Sequence, residues 1–138
     1  TPRLISNQIG AFTTDTAYRI RLKDGRADDL VYAFLNGLTA LSAELEGRHY
    51  GGGVLELVPS EIEKLLVPSL EHVHADLPAL DKAVRTMPTE MVLSGQTKRI
   101  LGPLGVSKSD QERLVDSWRR LRDRRHRVST DDAENVAG

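Results

Sequence analysis

The 138-residue chain carries 19 Lys and Arg against 20 Asp and Glu, with no Cys, one Trp, three Tyr and two Phe. A chain of this length forms one domain, or one domain with a tail, and can bury roughly two-thirds of its unfolded surface. The lack of Cys excludes a disulfide scaffold and cysteine-ligated zinc, and no apolar run is long enough to span a membrane. No signal-peptide pattern is present, so we expect a cytoplasmic protein without a membrane partner. The start "TPRLISN", without Met, is typical of a fragment of a longer protein.

The first predicted elements are strands, a short one at "RLIS" and a longer one at "AYRIRLK". In the longer stretch, Tyr18, Ile20 and Leu22 alternate with small or charged residues, which predicts one face directed toward a core. The Asp24-Gly25 pair predicts a turn after it.

One long helix is predicted next, in "ADDLVYAFLNGLTALSAELEG". Its leucines and Phe34 recur at helical spacing, Asp28 or Asp29 can cap its start, and Gly47 is a natural stop. The three glycines 51–53 and a short strand, "VLEL", follow, and "PSEIEKLL" has Pro and Ser at a helix start.

The remaining chain is predicted to be mostly helical, with helices at roughly 70–86, roughly 95–102 and from Ser109 to about Arg127. The last helix has a capping-box start and an apolar stripe of Leu114, Trp118 and Leu121. Polarity rises after Val128, which predicts a disordered tail over 129–138. The element order predicts an α+β fold with a small N-terminal sheet and a packed helix, followed by a mainly helical C-terminal half.

Motifs for catalysis are missing. A phosphate-binding loop follows a strand and opens a helix, whereas here a helix precedes the glycines and a strand follows them. His72 and His74 are two residues apart, which does not place two ligands on one helix face. We therefore predict no catalytic residue, no metal site and no cofactor in this chain.

Two features of the sequence instead favour binding of a polyanion. Glycines admit close approach of a ligand, Arg48 can fork two donors to a phosphate or a guanine edge, and Tyr50 can stack. Residues 119–127, "RRLRDRRHR", hold six Arg and one Asp. The alternatives are a flexible hinge at the glycines and a solvated helix face at the arginines.

Residues 3–68 resemble the region C-terminal to the catalytic domain in the adenine-N6 DNA methyltransferases of bacterial restriction–modification systems. That family has a Leu-Asn-Ser, a helix, Arg-x-Tyr-Gly-Gly-Gly, a strand, Pro-Ser-Glu-Leu and a Pro-ending segment. The matches are Leu35-Asn36, Arg48, Tyr50, Gly51-Gly52-Gly53, Leu55, Pro59-Ser60-Glu61, Leu65 and Val67-Pro68. The upstream strands are similar too. Two positions depart from the family: Gly37 replaces the usual Ser, and Leu66 stands where the family often has Pro.

The resemblance implies a target-recognition part without its catalytic part, since the family's Asn/Asp-Pro-Pro-Tyr motif and its Gly-rich S-adenosylmethionine loop are missing. S-adenosylmethionine is then expected only in the catalytic domain of the parent protein. The implied partners are double-stranded DNA and the catalytic domain of the same chain. The residues expected to contact DNA are Arg48, His49, Tyr50, Gly51, Gly52, Gly53, Arg119, Arg120 and Arg124.

On this interpretation, 3–68 is the methyltransferase-like DNA-recognition segment, 69–128 its helical extension and 129–138 the tail. The alternative is a helical docking module that binds the catalytic domain or a partner subunit. The two differ in where the arginines point. A shared face for Arg48 and the 119–127 arginines favours DNA, whereas internal pairing with residues such as Glu61 favours docking.

Overall fold

The computed structural model describes residues 1–14, 17–71 and 74–136, with side chains as far as Arg127. These residues form six α-helices and one two-stranded antiparallel sheet, which confirms an α+β fold with a mainly helical body. The helices are α1 Ala27–Phe34, α2 Gly37–Glu46, α3 Pro59–Ile62, α4 Leu77–Thr86, α5 Thr89–Leu101 and α6 Lys108–Val136. The strands are β1 Arg48–Tyr50 and β2 Val54–Glu56, joined by a 3₁₀ turn at Gly51–Gly53.

The N-terminal strands predicted at "RLIS" and "AYRIRLK" are wrong for the described part of that segment. The sheet lies at 48–56 instead, and the N-terminal residues pair with no strand among those described. Ile5, Ile9 and Phe12 are 87%, 90% and 99% exposed, and Tyr18 and Ile20 also face solvent. An isolated extended segment is not a stable strand, because a sheet requires a hydrogen-bonded neighbour.

The single long helix predicted before the glycines is two helices, separated at Asn36. The Oδ1 atom of Asn36 accepts from the backbone N–H of Leu38 and Thr39, at 2.8 and 3.1 Å, and so caps the start of α2. Its Nδ2 donates to the carbonyl of Ala33 at 2.6 Å, in the last turn of α1. Asn36 is fully buried, so this residue of the family motif acts within the fold.

The core lies between α2, α5 and α6. Trp118 on α6 and Leu93 and Ile100 on α5 are completely buried, which confirms the predicted placement of Trp118 on an apolar stripe. Gly37 begins α2 in close contact with α5 and α6: a Cβ there would lie 3.0 Å from Thr97 Oγ1 and from Val115 Cγ2. The small residue at this position therefore lets α2 pack tightly against α5 and α6.

The C-terminal helices were predicted with shifted boundaries. Ser107, not Ser109, caps α6, since its Oγ accepts from the N–H of Asp110 at 3.1 Å. The helix continues past Arg127 to Val136, because no Pro or Gly interrupts it before Gly138. The division of the chain into segments 3–68, 69–128 and 129–138 stays a prediction. Residues 137 and 138 lie outside the described part. None of the described helices combines the length and the apolar composition that a bilayer span requires.

Candidate nucleic-acid interface

The glycine triplet forms the turn of a β-hairpin. In the register of the two strands, Arg48 pairs with Glu56 and Tyr50 with Val54. Gly52 and Gly53 have φ of 80° and 71°, in the left-handed region that glycine enters without a steric penalty. The turn therefore requires two of the three glycines for its own backbone conformation, whatever else it binds.

The two edges of this turn differ. A Cβ on Gly53 would lie 2.7 Å from Nδ1 of His126, so the inner edge packs directly against α6. A Cβ on Gly52 would meet nothing within 4 Å. The outer edge of the turn is thus open to a large ligand.

A buried ion pair holds the inner edge in place. Arg125 of α6 donates from Nη2 and Nε to the two carboxylate oxygens of Glu44 on α2, at 2.9 and 3.1 Å. Its third nitrogen, Nη1, donates to the carbonyl oxygen of Gly53. Both side chains are buried. Sequence analysis did not select Arg125, although its position seven residues after Trp118 places it on the core stripe of the helix.

Arg48 has an internal partner. Its Nε donates to Oε1 of Glu61 across 2.7 Å, although 56% of its side-chain surface is exposed. The other oxygen of Glu61 accepts from the N–H of Val58 at 3.0 Å. The Val58 N–H, followed by Arg48, lowers the pKa of Glu61 below its ordinary value, and Glu61 in turn raises the pKa of Arg48. Arg48 therefore has the internal carboxylate partner that the docking alternative predicts. More than half of its side-chain surface is nevertheless exposed.

The next two residues of β1 are exposed in part. Side chains alternate along a strand, so Arg48 and Tyr50 share one face and His49 points to the other. Tyr50 is 51% exposed. His49 Nε2 lies 3.7 Å from Oε2 of Glu44, on the side of the buried ion pair. Arg48 and Tyr50 therefore form one accessible basic and aromatic surface beside the open edge of the turn.

The arginines predicted on α6 divide into two groups. Arg119 binds Asp116 at 2.7 Å and Glu90 of α5 at 3.2 Å, so it joins two helices. Arg120 and Arg124 are exposed and have no ionic partner among the described side chains. They are four residues apart, and therefore lie on one face of the helix.

The turn packs against α6 at Arg125 and His126, whereas Arg124 and Arg120 lie about 100° and about 140° around the helix axis from Arg125, on a different face of α6. Arg125 and His126 contact the turn, Arg124 precedes them directly, and Arg120 lies one helical turn earlier. Of the predicted residues, Arg120, Arg124 and the outer edge of the turn are free to bind a ligand. Arg48 and Tyr50 are half exposed, but Arg48 is bound to Glu61 and Tyr50 interacts with Arg48. Arg119 and Gly53 are engaged within the fold.

Metal ligation has no assembled site in the described part of the chain, where no three His, Cys, Asp or Glu side chains are grouped to hold an ion. His72, one of the two histidines considered above, lies outside the described residues.

Within the described residues, fold and site define a small α+β module built around a clamped glycine hairpin beside a basic helix. Residues 1–101 match the family model described as Type II methyltransferase M.Eco57I, C-terminal domain, and the chain belongs to this family. No curated protein and no solved structure matches this chain. The match confirms the resemblance to the C-terminal region of a restriction–modification methyltransferase, and extends it from residue 68 through α5.

Proposed function

We propose that this chain is the DNA-binding, target-recognition part of a site-specific adenine-N6 DNA methyltransferase of a restriction–modification system. The observation that carries the proposal is the family membership of residues 1–101. Such an enzyme must take its target base out of the duplex, and the flanking DNA must be held while this occurs. A module outside the catalytic domain is suited to that task.

The proposed division of labour follows from which cations are free. Arg120 and Arg124 are exposed and unpaired among the described residues, so they are suited to phosphate contacts that set the register on DNA. Arg48 and Tyr50 are suited to base edges or to the adjacent backbone, and the open side of Gly52 leaves room for the duplex. In this scheme S-adenosylmethionine binds the catalytic domain of the parent protein, and the parent protein is cytoplasmic.

Two observations favour docking to the catalytic domain of the same chain as a second role. Arg48 and Arg119 already have carboxylate partners, which lowers the charge available to DNA. Ile5, Ile9 and Phe12 also expose an apolar N-terminal surface that a protein partner would cover. Tyr50 lines the same cavity as Ile5 and Ile9, so the proposed docking and DNA-binding surfaces meet at this residue.

A selection experiment tests target recognition. The 138-residue chain is incubated with a pool of random-sequence duplexes, and the bound DNA is recovered and sequenced over several rounds. We expect enrichment of one short sequence that contains adenine. A bound fraction with the same sequences as the starting pool would contradict target recognition, and the absence of any bound DNA would contradict the DNA-binding role.

A further inference from the structure

We propose that Arg125 is a positioning residue, which clamps the Gly51–Gly53 turn onto α6 so that the turn, Arg48 and Tyr50 meet DNA as one rigid surface. This inference rests on the proposed function. It adds a residue that the sequence comparison does not reach, because α6 lies beyond the matched residues 1–101.

The contacts of Arg125 suit a clamp. A guanidinium is planar and can bind both oxygens of a carboxylate side by side, which fixes its orientation. Two nitrogens of Arg125 bind Glu44 in this way, so the remaining nitrogen is held in the direction of the Gly53 carbonyl. Three elements, namely α2, α6 and the hairpin turn, are joined at this single side chain.

Neighbouring contacts reinforce the same point of attachment. His126 packs against Gly53, where even a methyl group would have to displace it. Oε2 of Glu44 also lies 3.7 Å from Nε2 of His49 on β1. The strand that carries Arg48 and Tyr50 is therefore fixed on the side opposite to its exposed face, in addition to the Arg48–Glu61 pair on the exposed face.

Because Arg125 pairs with Glu44, replacing both residues together tests the clamp without leaving an unpaired charge in the interior. Arg125→Met alone would leave the Glu44 carboxylate buried without its partner, and the fold itself could fail. The double variant Glu44→Gln/Arg125→Met removes both charges and the donor to Gly53. Arg125→Lys is a second variant, which keeps the charge for Glu44 but lacks the planar group that also reaches Gly53.

The experiment measures two quantities on the 138-residue chain: amide hydrogen exchange, and the affinity for a random-sequence duplex at low salt. We expect amides 52–54 to exchange about tenfold faster in the double variant, with smaller acceleration in Arg125→Lys, while the amides of Leu93 and Ile100 in α5 stay protected. We expect the affinity of the double variant for DNA to fall about tenfold. Asp81→Asn/Arg85→Met is the matched control, because it removes an exposed ion pair of α4, 2.7 Å between Arg85 Nε and Asp81 Oδ2, and likewise leaves the net charge unchanged.

Each outcome is decisive. Unchanged exchange of amides 52–54 in both variants would overturn the clamp. Faster exchange at 52–54 with unchanged DNA affinity would show that the clamp does not position a DNA-binding surface. If the wild-type chain bound no DNA, the proposed function would fail, whereas the exchange result would still decide whether Arg125 holds the turn.

Discussion

Arg48 donates from Nε to Oε1 of Glu61 across 2.7 Å, so the exposed cation of the hairpin is bound to a carboxylate that is itself almost buried. Glu61 also holds the N–H of Val58 and thereby the start of α3. A phosphate or a base edge that binds Arg48 must compete with this carboxylate or share the guanidinium with it. In the proposed function, this competition limits how strongly Arg48 binds DNA.

Glu61→Gln should strengthen DNA binding. Loss of the carboxylate charge releases Arg48 for a phosphate, and the amide oxygen of Gln can still accept from Val58. We expect a roughly two- to fivefold tighter complex with a random-sequence duplex in a fluorescence anisotropy titration. Glu63→Gln, an exposed glutamate two residues later, removes the same charge without touching Arg48. Equal effects of the two variants would show that only net charge matters.

The same carboxylate predicts how stability depends on pH. The pKa of Glu61 is lower in the folded chain than its ordinary value of 4.5, first because of the Val58 N–H and then because of Arg48. Its contribution to the free energy of unfolding is thus complete above pH 4.5 and is lost as the pH falls through the lower folded pKa. We expect denaturant titrations to show a smaller acid loss of stability in Glu61→Gln than in the wild type. Identical pH profiles would contradict this role of Glu61.

Gly53→Ala should destabilise the chain more than Gly52→Ala. Both residues have positive φ, which costs about 1–2 kcal/mol for a residue with a Cβ. Only at Gly53 does the added methyl group also meet His126. Urea unfolding of the two variants measures the difference, and Gly53→Ala/His126→Ala should recover part of it. A larger loss at Gly52 would contradict the assignment of inner and outer edges.

Trp118→Ala should reduce the free energy of unfolding by roughly 3–5 kcal/mol, because it removes a fully buried aromatic side chain from the core. It also removes the ring over which Arg122 lies, 4.7 Å from the ring centroid. Leu104→Ala, at a residue that is 39% exposed, serves as the control and should cost little. A melting temperature of Trp118→Ala close to that of the wild type would show that the helix α6 is not part of the core.

The parts of the fold that were predicted correctly depend on local patterns. The i, i+4 spacing of Leu114 and Trp118 indicates the buried side of α6 because helical periodicity decides which residues share a face. The alternation at Tyr18 and Ile20 was misleading, since it does not reveal whether another strand is available for pairing. The break at Asn36 was missed because the apolar spacing continues across it, while the capping side chain is what ends α1 and begins α2.

The candidate site was predictable in its residue types but not in its contacts. The glycine triplet and the arginine run are visible in the sequence, and the structure does bring the turn to α6. Glu44 and Arg125, however, are 81 residues apart, and no local pattern indicates that they meet. The same holds for the partners of Arg48 and Arg119, which depend on how α3 and α5 pack.

The salt dependence of DNA binding tests the central claim most directly. Each phosphate contact contributes about −0.9 to the slope of log K against log salt, through release of counterions. We expect the wild-type chain to bind a random-sequence duplex with a clear negative slope, and Arg120→Met/Arg124→Met to shallow it by about two units. Arg85→Met/Arg113→Met removes the same charge from exposed arginines outside the proposed surface and should keep the wild-type slope. No binding by the wild type at low salt, or equal slopes for the two double variants, would contradict DNA binding through the exposed arginines of α6.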